Sequence, residues 1–138
     1  MKYKSTRSDD VTESIDDVLK KGIASDGGLY LPEKFPEFKK EDFDKCISIK
    51  DTAKILLSPF FENSLIHNHL DSIIDSCFHF KIPTIKVKNR NCWYLELFHG
   101  PTAAFKDVGA GFLASCLSRL NTGNDPLVIL VATSGDTG

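Results

Sequence analysis

The spacing of apolar residues changes at Pro83 from a helical period to a period of two. Before that proline, apolar side chains recur every three or four residues, which is typical of amphipathic helices. After it, Ile85 and Val87 alternate with lysines, which is typical of a half-exposed β-strand. A chain that carries both periods in this order is predicted to fold as an α/β protein, with helices first and strands later.

Two elements are predicted before the chain reaches residue 33. Residues 11–19 carry an apolar stripe, and the polar residues before it and Gly22 after it act as start and stop signals for a helix. Residues 25–32 combine two glycines with three apolar residues and end at Pro32. This combination predicts a tight turn that leads into a short strand.

Two more helices are predicted in the N-terminal half. The second helix begins after Ser48, with Asp51 in the position of a capping box. Pro59 is expected to kink or shorten it, because proline lacks the N–H that an interior helical position requires. The third helix is expected to be capped by Ser64 and to extend to Phe78, with apolar side chains every three or four residues.

The C-terminal part is predicted to follow the order strand, strand, helix, strand. A turn at 89–91 separates two apolar segments, so a β-hairpin is expected. One apolar face from Phe105 to Leu120 predicts a helix, and the continuous apolar run 127–131 is typical of a parallel strand buried on both faces. We therefore divide the chain into a mainly helical region, 1–82, and the start of an α/β domain, 83–138.

Composition and charge exclude several classes of function. The chain has 17 Lys plus Arg against 19 Asp plus Glu, a formal net charge of −2, which argues against binding to nucleic acid. No apolar run approaches the roughly 18 residues of a membrane span, and no secretory signal is present, so a cytoplasmic location is expected. No cysteine pair or histidine cluster has metal-ligand spacing, so reduced interior thiols and no metal are expected. Lys2, Lys4 and Arg7 are too few for an electrostatic anchor, so a mobile N-terminus is expected.

A polar, glycine-containing loop at residues 133–138 follows the predicted buried strand directly. Open α/β sheets bind ligands at this position because backbone N–H groups there can face an anion. A frayed polar terminus stays an alternative, since Ser-Gly-Asp-Thr-Gly alone is a weak signal. Ser134 as a nucleophile with His99 as its base is discounted, because no G-x-S-x-G elbow surrounds that serine.

The second candidate is Lys106, which lies in the first turn of a predicted helix. The positive end of the helix dipole favours a neutral, nucleophilic amine there, whereas the neighbouring Asp107 acts in the opposite direction. Phe105 and Val108 flank the lysine and predict partial burial, which a lysine that forms a Schiff base requires. On residue pattern alone, a solvated surface lysine stays the alternative.

Three segments taken together resemble the N-terminal part of the threonine synthases. They are D-G-G-L-Y-L-P-E at 26–33, L-E-L-F-H-G-P-T-A-A-F-K-D at 95–107 and A-T-S-G-D-T-G at 132–138. The resemblance spans essentially the whole chain, and H-G-P-T-x-x-F-K-D is its most specific part. These are pyridoxal-phosphate (PLP) enzymes of fold type II, the tryptophan synthase β-like fold, so the resemblance implies the N-terminal part of that fold.

The resemblance also implies roles for particular residues. Lys106 would hold PLP as an internal aldimine and later move protons as a free amine, while Phe105 and Asp136 would contact the cofactor. Related enzymes commonly carry Asn where this chain has Asp136, and a carboxylate accepts where an amide can donate, so Asp136 must hold or share a proton beside the ring hydroxyl. The residues expected to bind the substrate are Thr133, Ser134, Gly135 and Thr137.

The implied reaction converts O-phospho-L-homoserine and water to L-threonine and phosphate, with PLP as the electron sink. The cradle for the PLP phosphate and most of the second domain are expected beyond residue 138, so the chain alone is expected to be inactive and to need the remainder of the enzyme. One alternative is a threonine-synthase-like phospholyase that eliminates phosphate from other amino-alcohol phosphates. The other is a non-catalytic module whose helical first half docks on a partner chain.

Overall fold

The computed structural model describes residues 1–123, 126–135 and 137. Its helices and strands define a mixed α/β chain with two small antiparallel sheets. The elements in chain order are β1 (Lys2–Ser5), β2 (Thr12–Ser14), α1 (Ile15–Lys21), β3 (Tyr30–Pro32), α2 (Ile49–Phe61), α3 (Leu70–Cys77), β4 (Thr84–Lys86), β5 (Trp93–Leu95) and α4 (Lys106–Leu120), with 3-10 turns at Lys40–Phe43 and His67–His69.

The N-terminal residues form the central strand of a three-stranded sheet with the order β2-β1-β3. The predicted order of helices first and strands later is therefore wrong, because β1 and β2 precede α1. Tyr3 lies opposite Glu13 on one side and Pro32 on the other, and its side chain is buried. The expectation of a mobile terminus is therefore wrong, because hydrogen bonds on both edges hold β1. The strand predicted to end at Pro32 is confirmed as β3.

Helix α1 begins four residues later than the stripe from Val11 predicts. Residues 12–14 pair with β1, so the backbone there is already committed to the sheet. Ser14 then caps the helix, because its hydroxyl accepts from the Asp17 N–H at 3.2 Å. The helix ends at Gly22, whose φ of +71° suits glycine.

Helix α2 begins as predicted, with a capping box in which the Ser48 hydroxyl accepts from the Asp51 N–H at 3.2 Å and the Asp51 carboxylate accepts from the Ser48 N–H at 2.9 Å. Pro59 does not shorten it at that position, since the helix continues to Phe61. Ser64 does not cap the third helix. Its hydroxyl donates to the Asp16 carboxylate, which ties α1 to the loop ahead of α3.

The core lies among the helices, where α3 packs against both α2 and α4. Its most buried members include Ile66, Ile73 and Cys116. Burial raises the pKa of the Cys116 thiol to about 12. Cys77 is also buried, whereas Cys46 is half-buried and Cys92 exposed, so the prediction of interior thiols holds for two of the four.

The predicted β-hairpin is present as β4 and β5, with Ile85 opposite Tyr94. The turn between the strands uses Asn89 at a φ of +61°, a conformation that asparagine tolerates better than most residues. Every side chain of the two strands is exposed. The hairpin therefore presents apolar groups, including Trp93 at 55% exposure, on the surface of this chain.

The buried parallel strand predicted at 127–131 is contradicted. The segment has no regular secondary structure, and its side chains are between 47% and 91% exposed. Among the described residues, no strand of either sheet pairs with this segment. An apolar run becomes a buried strand only where neighbouring strands accept its backbone hydrogen bonds and other layers cover its faces.

Candidate functional site

The segment between β5 and α4 is a tight turn that ends at a lysine. After β5, the Glu96 N–H donates to the Pro83 carbonyl at 3.0 Å, which extends the contact between the two strands. The chain then turns at Gly100, whose carbonyl accepts from the Ala103 N–H at 3.1 Å, and Ala103 has a φ of +54°. Such a conformation is uncommon for alanine, so the surrounding contacts must hold it.

The Asp107 carboxylate provides those contacts. It accepts from the Thr102 hydroxyl at 2.8 Å, from the Thr102 N–H at 3.0 Å and, at 3.4 Å, from the Ala104 N–H. A Cβ on Gly100 would stand 2.5 Å from the same carboxylate, so only glycine fits there. Asp107 therefore fastens the turn 100–104 to the first turn of α4.

Lys106 lies in the first turn of α4, as predicted, and is its first residue, but it is exposed rather than partly buried. The side chains that α4 buries are Cys116, Leu117 and Leu120, all near its C-terminal end. Phe105 is 63% exposed, and its ring lies against Gly109 one turn later. The expected desolvation of the lysine is therefore not present in this chain, because the neighbouring helices cover the other end of α4.

The predicted substrate loop is exposed at all of its described positions, Thr133, Ser134, Gly135 and Thr137. Asp136 lies outside the described residues. Gly135 has a φ of +124°, and its N–H donates to the Thr133 hydroxyl at 3.4 Å, a contact within the loop. Of the predicted site residues, the structure brings Phe105 and Lys106 together at one helix end.

A histidine–carboxylate pair lies in the same segment and was not assigned a role from the sequence. The His99 Nε2 atom is 2.7 Å from the Glu96 carboxylate, and the Phe98 ring packs on the imidazole with centroids 4.7 Å apart. The sequence signal was the three-residue spacing, which alone predicts no contact in a segment without a helix.

The D-G-G segment has a structural role in this chain. The Ser5 hydroxyl donates to the Asp26 carboxylate at 2.7 Å, and the Gly28 N–H donates to the same oxygen at 2.9 Å. Both hydrogen bonds lower the pKa of Asp26, and the one from Ser5 has the larger effect. Arg7 donates to the Asp26 carbonyl at 3.1 Å. The hydrogen bond between Ser5 and Asp26 thus joins the segment that precedes β3 to strand β1.

Within residues 1–123, 126–135 and 137, no group of three or more His, Cys, Asp or Glu side chains could hold a metal ion. None of the helices in the described part of the chain has the length and apolar character needed to cross a membrane.

Comparisons with known proteins agree on one family. The family described as "Threonine synthase N terminus" matches residues 2–78. The threonine synthase of Pseudomonas aeruginosa is 37% identical, over 100% of this chain and 31% of its own length. The crystal structure of threonine synthase from Escherichia coli aligns with a TM-score of 0.84 at 35% identity, over 99% of this chain and 32% of that one.

A further solved structure is a PLP-bound threonine synthase from Brucella melitensis. It aligns with a TM-score of 0.77 at 34% identity, over 87% of this chain and 27% of that chain. This chain therefore spans about a third of the length of the relatives that it matches.

Proposed function

The chain belongs to the threonine synthase N-terminus family, and from that premise we propose that it is the N-terminal portion of a PLP-dependent threonine synthase. The proposed enzyme converts O-phospho-L-homoserine and water to L-threonine and phosphate in the cytoplasm. In this proposal residues 1–82 are the N-terminal region, in which a three-stranded sheet accompanies α1, α2 and α3, and 83–138 begin a PLP-binding domain of fold type II. The observation that carries the proposal is the fastened turn that sets Lys106 at the start of α4.

The described residues fit the lysine-bonded end of PLP. The cofactor bonds to a primary amine, and Lys106 offers one on an exposed side chain beside a turn that is held by several hydrogen bonds. The loop at 133–135 offers hydroxyls and backbone N–H groups, which are the donors that a substrate carboxylate requires. When bound, PLP supplies an electron sink for removal of a proton beside the substrate amine.

The chain's own residues would then have separate roles in binding and proton transfer. Lys106 Nζ would hold the cofactor, and its amine would take and return protons at the substrate Cα and Cβ. Phe105 and Asp136 would help to hold the cofactor, and Asp136 would hold or share a proton beside its ring hydroxyl. The residues proposed to bind the substrate α-carboxylate are Thr133, Ser134, Gly135 and Thr137.

The remainder of the enzyme must complete this site. Lys106 is exposed, as are the described loop residues, so exclusion of water has to come from polypeptide outside this segment. Since the chain spans about a third of its relatives' length, we expect no threonine synthase activity from the isolated segment.

The test is an activity assay on the intact enzyme, meaning this segment joined to the rest of its polypeptide. Threonine and phosphate are measured with O-phospho-L-homoserine as substrate. We expect Lys106→Ala to lower the rate by more than about a hundredfold, the scale of a lost proton-transferring group. Lys81→Ala, which removes another exposed lysine, is the matched control and should be active.

Three results would count against the proposal. Undiminished activity in the Lys106→Ala enzyme would exclude that lysine from the chemistry. Phosphate release without threonine would favour the phospholyase. An intact protein that binds no PLP would favour the non-catalytic module.

A further inference from the structure

The hydrogen-bonded ring closed by Asp107 contains Lys106. The ring begins at Thr102, whose hydroxyl and N–H both donate to the Asp107 carboxylate, and it returns along the backbone through residues 103–106. The Ala104 N–H donates into the same carboxylate at 3.4 Å. The backbone of Lys106 is thus fixed on both sides, by the turn before it and by Asp107 after it.

This arrangement differs from an ordinary helix cap, of which the same chain provides an example. Asp51, at the start of α2, accepts from the Ser48 hydroxyl at 2.7 Å and the Ser48 N–H at 2.9 Å, which is a capping box with a three-residue span. Asp51 also accepts from the Ile47 N–H, four residues back, at 3.1 Å. Asp107 reaches five residues back to both the hydroxyl and the N–H of Thr102, and Phe105 at the cap position provides no side-chain hydrogen bond. Asp107 therefore closes a preceding turn in addition to starting a helix.

The ring also requires an unusual backbone. Ala103 has a φ of +54°, and Gly100 lies so close to Asp107 that a Cβ would stand 2.5 Å from the carboxylate. An ordinary cap would not need either feature. Both features give the turn 100–104 a defined backbone directly before Lys106.

We propose that Asp107 is a positioning residue for Lys106, whose amine it places for bonding to PLP by fastening the turn 100–104 to the first turn of α4. This inference rests on the proposed function. A lysine amine stands at the end of four flexible methylenes, so the only part of Lys106 that the turn can fix is its base. A displacement of about 1 Å at a reacting group can cost about a hundredfold in rate, so fixing that base has a large effect.

The test compares three groups of variants of the intact enzyme. Asp107→Ala and Asp107→Asn alter the acceptor. Thr102→Val removes the hydroxyl donor at nearly constant shape, whereas Thr102→Ser keeps a hydroxyl at that position. Asp51→Ala is the matched control, because it removes the corresponding acid from a helix start that does not carry Lys106. The readouts are the dissociation constant of PLP from the refilled apoenzyme, kcat and KM, and the apoenzyme Tm.

We expect Asp107→Ala to weaken PLP binding by about tenfold or more and to lower kcat with less effect on KM. Asp107→Asn should be intermediate, because an amide keeps one acceptor oxygen but turns an NH₂ group toward a donor. Thr102→Ser should bind PLP more tightly than Thr102→Val. Asp51→Ala should lower the apoenzyme Tm and leave the dissociation constant of PLP unchanged.

The inference is overturned if the Asp107 and Asp51 variants lose similar Tm while both keep wild-type PLP affinity and kcat, since Asp107 would then be only a cap. If Asp107→Ala yields no folded protein, the Thr102 pair decides, and equal PLP affinity of Thr102→Val and Thr102→Ser overturns the inference. A wild-type enzyme that does not bond PLP at Lys106 overturns the proposed function and the inference together, which distinguishes that failure from the others.

Discussion

Gly28 provides the sharpest test of how the D-G-G segment is held. A Cβ at this position would meet the Ser5 hydroxyl at 2.1 Å, the Asp26 carboxylate at 3.0 Å and the Thr6 hydroxyl at 3.1 Å. Ser5 cannot move freely, because it belongs to the central strand β1, is buried and donates to Asp26 at 2.7 Å. Overpacking of this kind costs about 1–3 kcal/mol, so Gly28→Ala should lower the free energy of unfolding by that amount.

The measurement is urea unfolding of the chain followed by far-UV circular dichroism. Gly111→Ala is the matched control, because a Cβ there meets nothing within 4 Å and the residue lies inside α4. That substitution should raise the free energy of unfolding by about 0.5–1 kcal/mol, through the better helix propensity of alanine. The same chemical change is thus expected to act with opposite signs at the two positions.

A double-variant cycle identifies the cause. With Ser5→Ala in place, the closest of the three clashing atoms is gone, so Gly28→Ala should cost less than it does in the wild type. An equal cost in both backgrounds, or no cost in the wild type, would refute the account of this segment.

Three other outcomes are expected. Cys116 should resist thiol reagents in the native chain, because it is buried and its pKa is raised to about 12, whereas Cys92 should react at once; mass spectrometry of labelled peptides separates them. Hydrogen bonds lower the pKa of Asp51, and the one from Ser48 has the largest effect. The stabilising contribution of the Asp51 carboxylate is therefore present above the ordinary pKa of 3.8 and is lost as the pH falls through the lower pKa of the folded state. Asp51→Asn should flatten that part of the curve of unfolding free energy against pH. Ile73→Ala should lower the free energy of unfolding by about 2–5 kcal/mol in urea titration, since Ile73 is 1% exposed in the core.

Local signals predicted part of this fold. The Ser48–Asp51 pair gave the start of α2, and the apolar face after Phe105 gave α4, because capping and periodicity act within a few residues. The hairpin of β4 and β5 followed from alternation around a short turn. In each case the interactions that decide the structure are close together in the sequence.

Long-range contacts decided the elements that were missed. Strand β1 has one buried aromatic residue, Tyr3, between two lysines, and its pairing with β3 joins residues almost 30 positions apart. Strand β1 also pairs with residues 12–14 on its other edge, so α1 begins only at Ile15. The run 127–131 has the composition of a buried strand, but burial needs partners that the described residues do not provide.

For the candidate site, the sequence predicted Lys106 at the start of a helix, but not the ring that holds it. Thr102 and Asp107 are five residues apart, a spacing that matches no standard cap, so only the structure revealed their hydrogen bonds. The apolar neighbours of Lys106 did not predict its exposure, because the residues that α4 buries lie near the C-terminal end of the helix.

Covalent trapping of PLP on the intact enzyme tests the central claim most directly. Borohydride reduces the bond between the cofactor and the amine that holds it, so peptide mapping identifies that amine. We expect the label on Lys106 alone. Label spread over other lysines, with Lys106 unmodified, would contradict it.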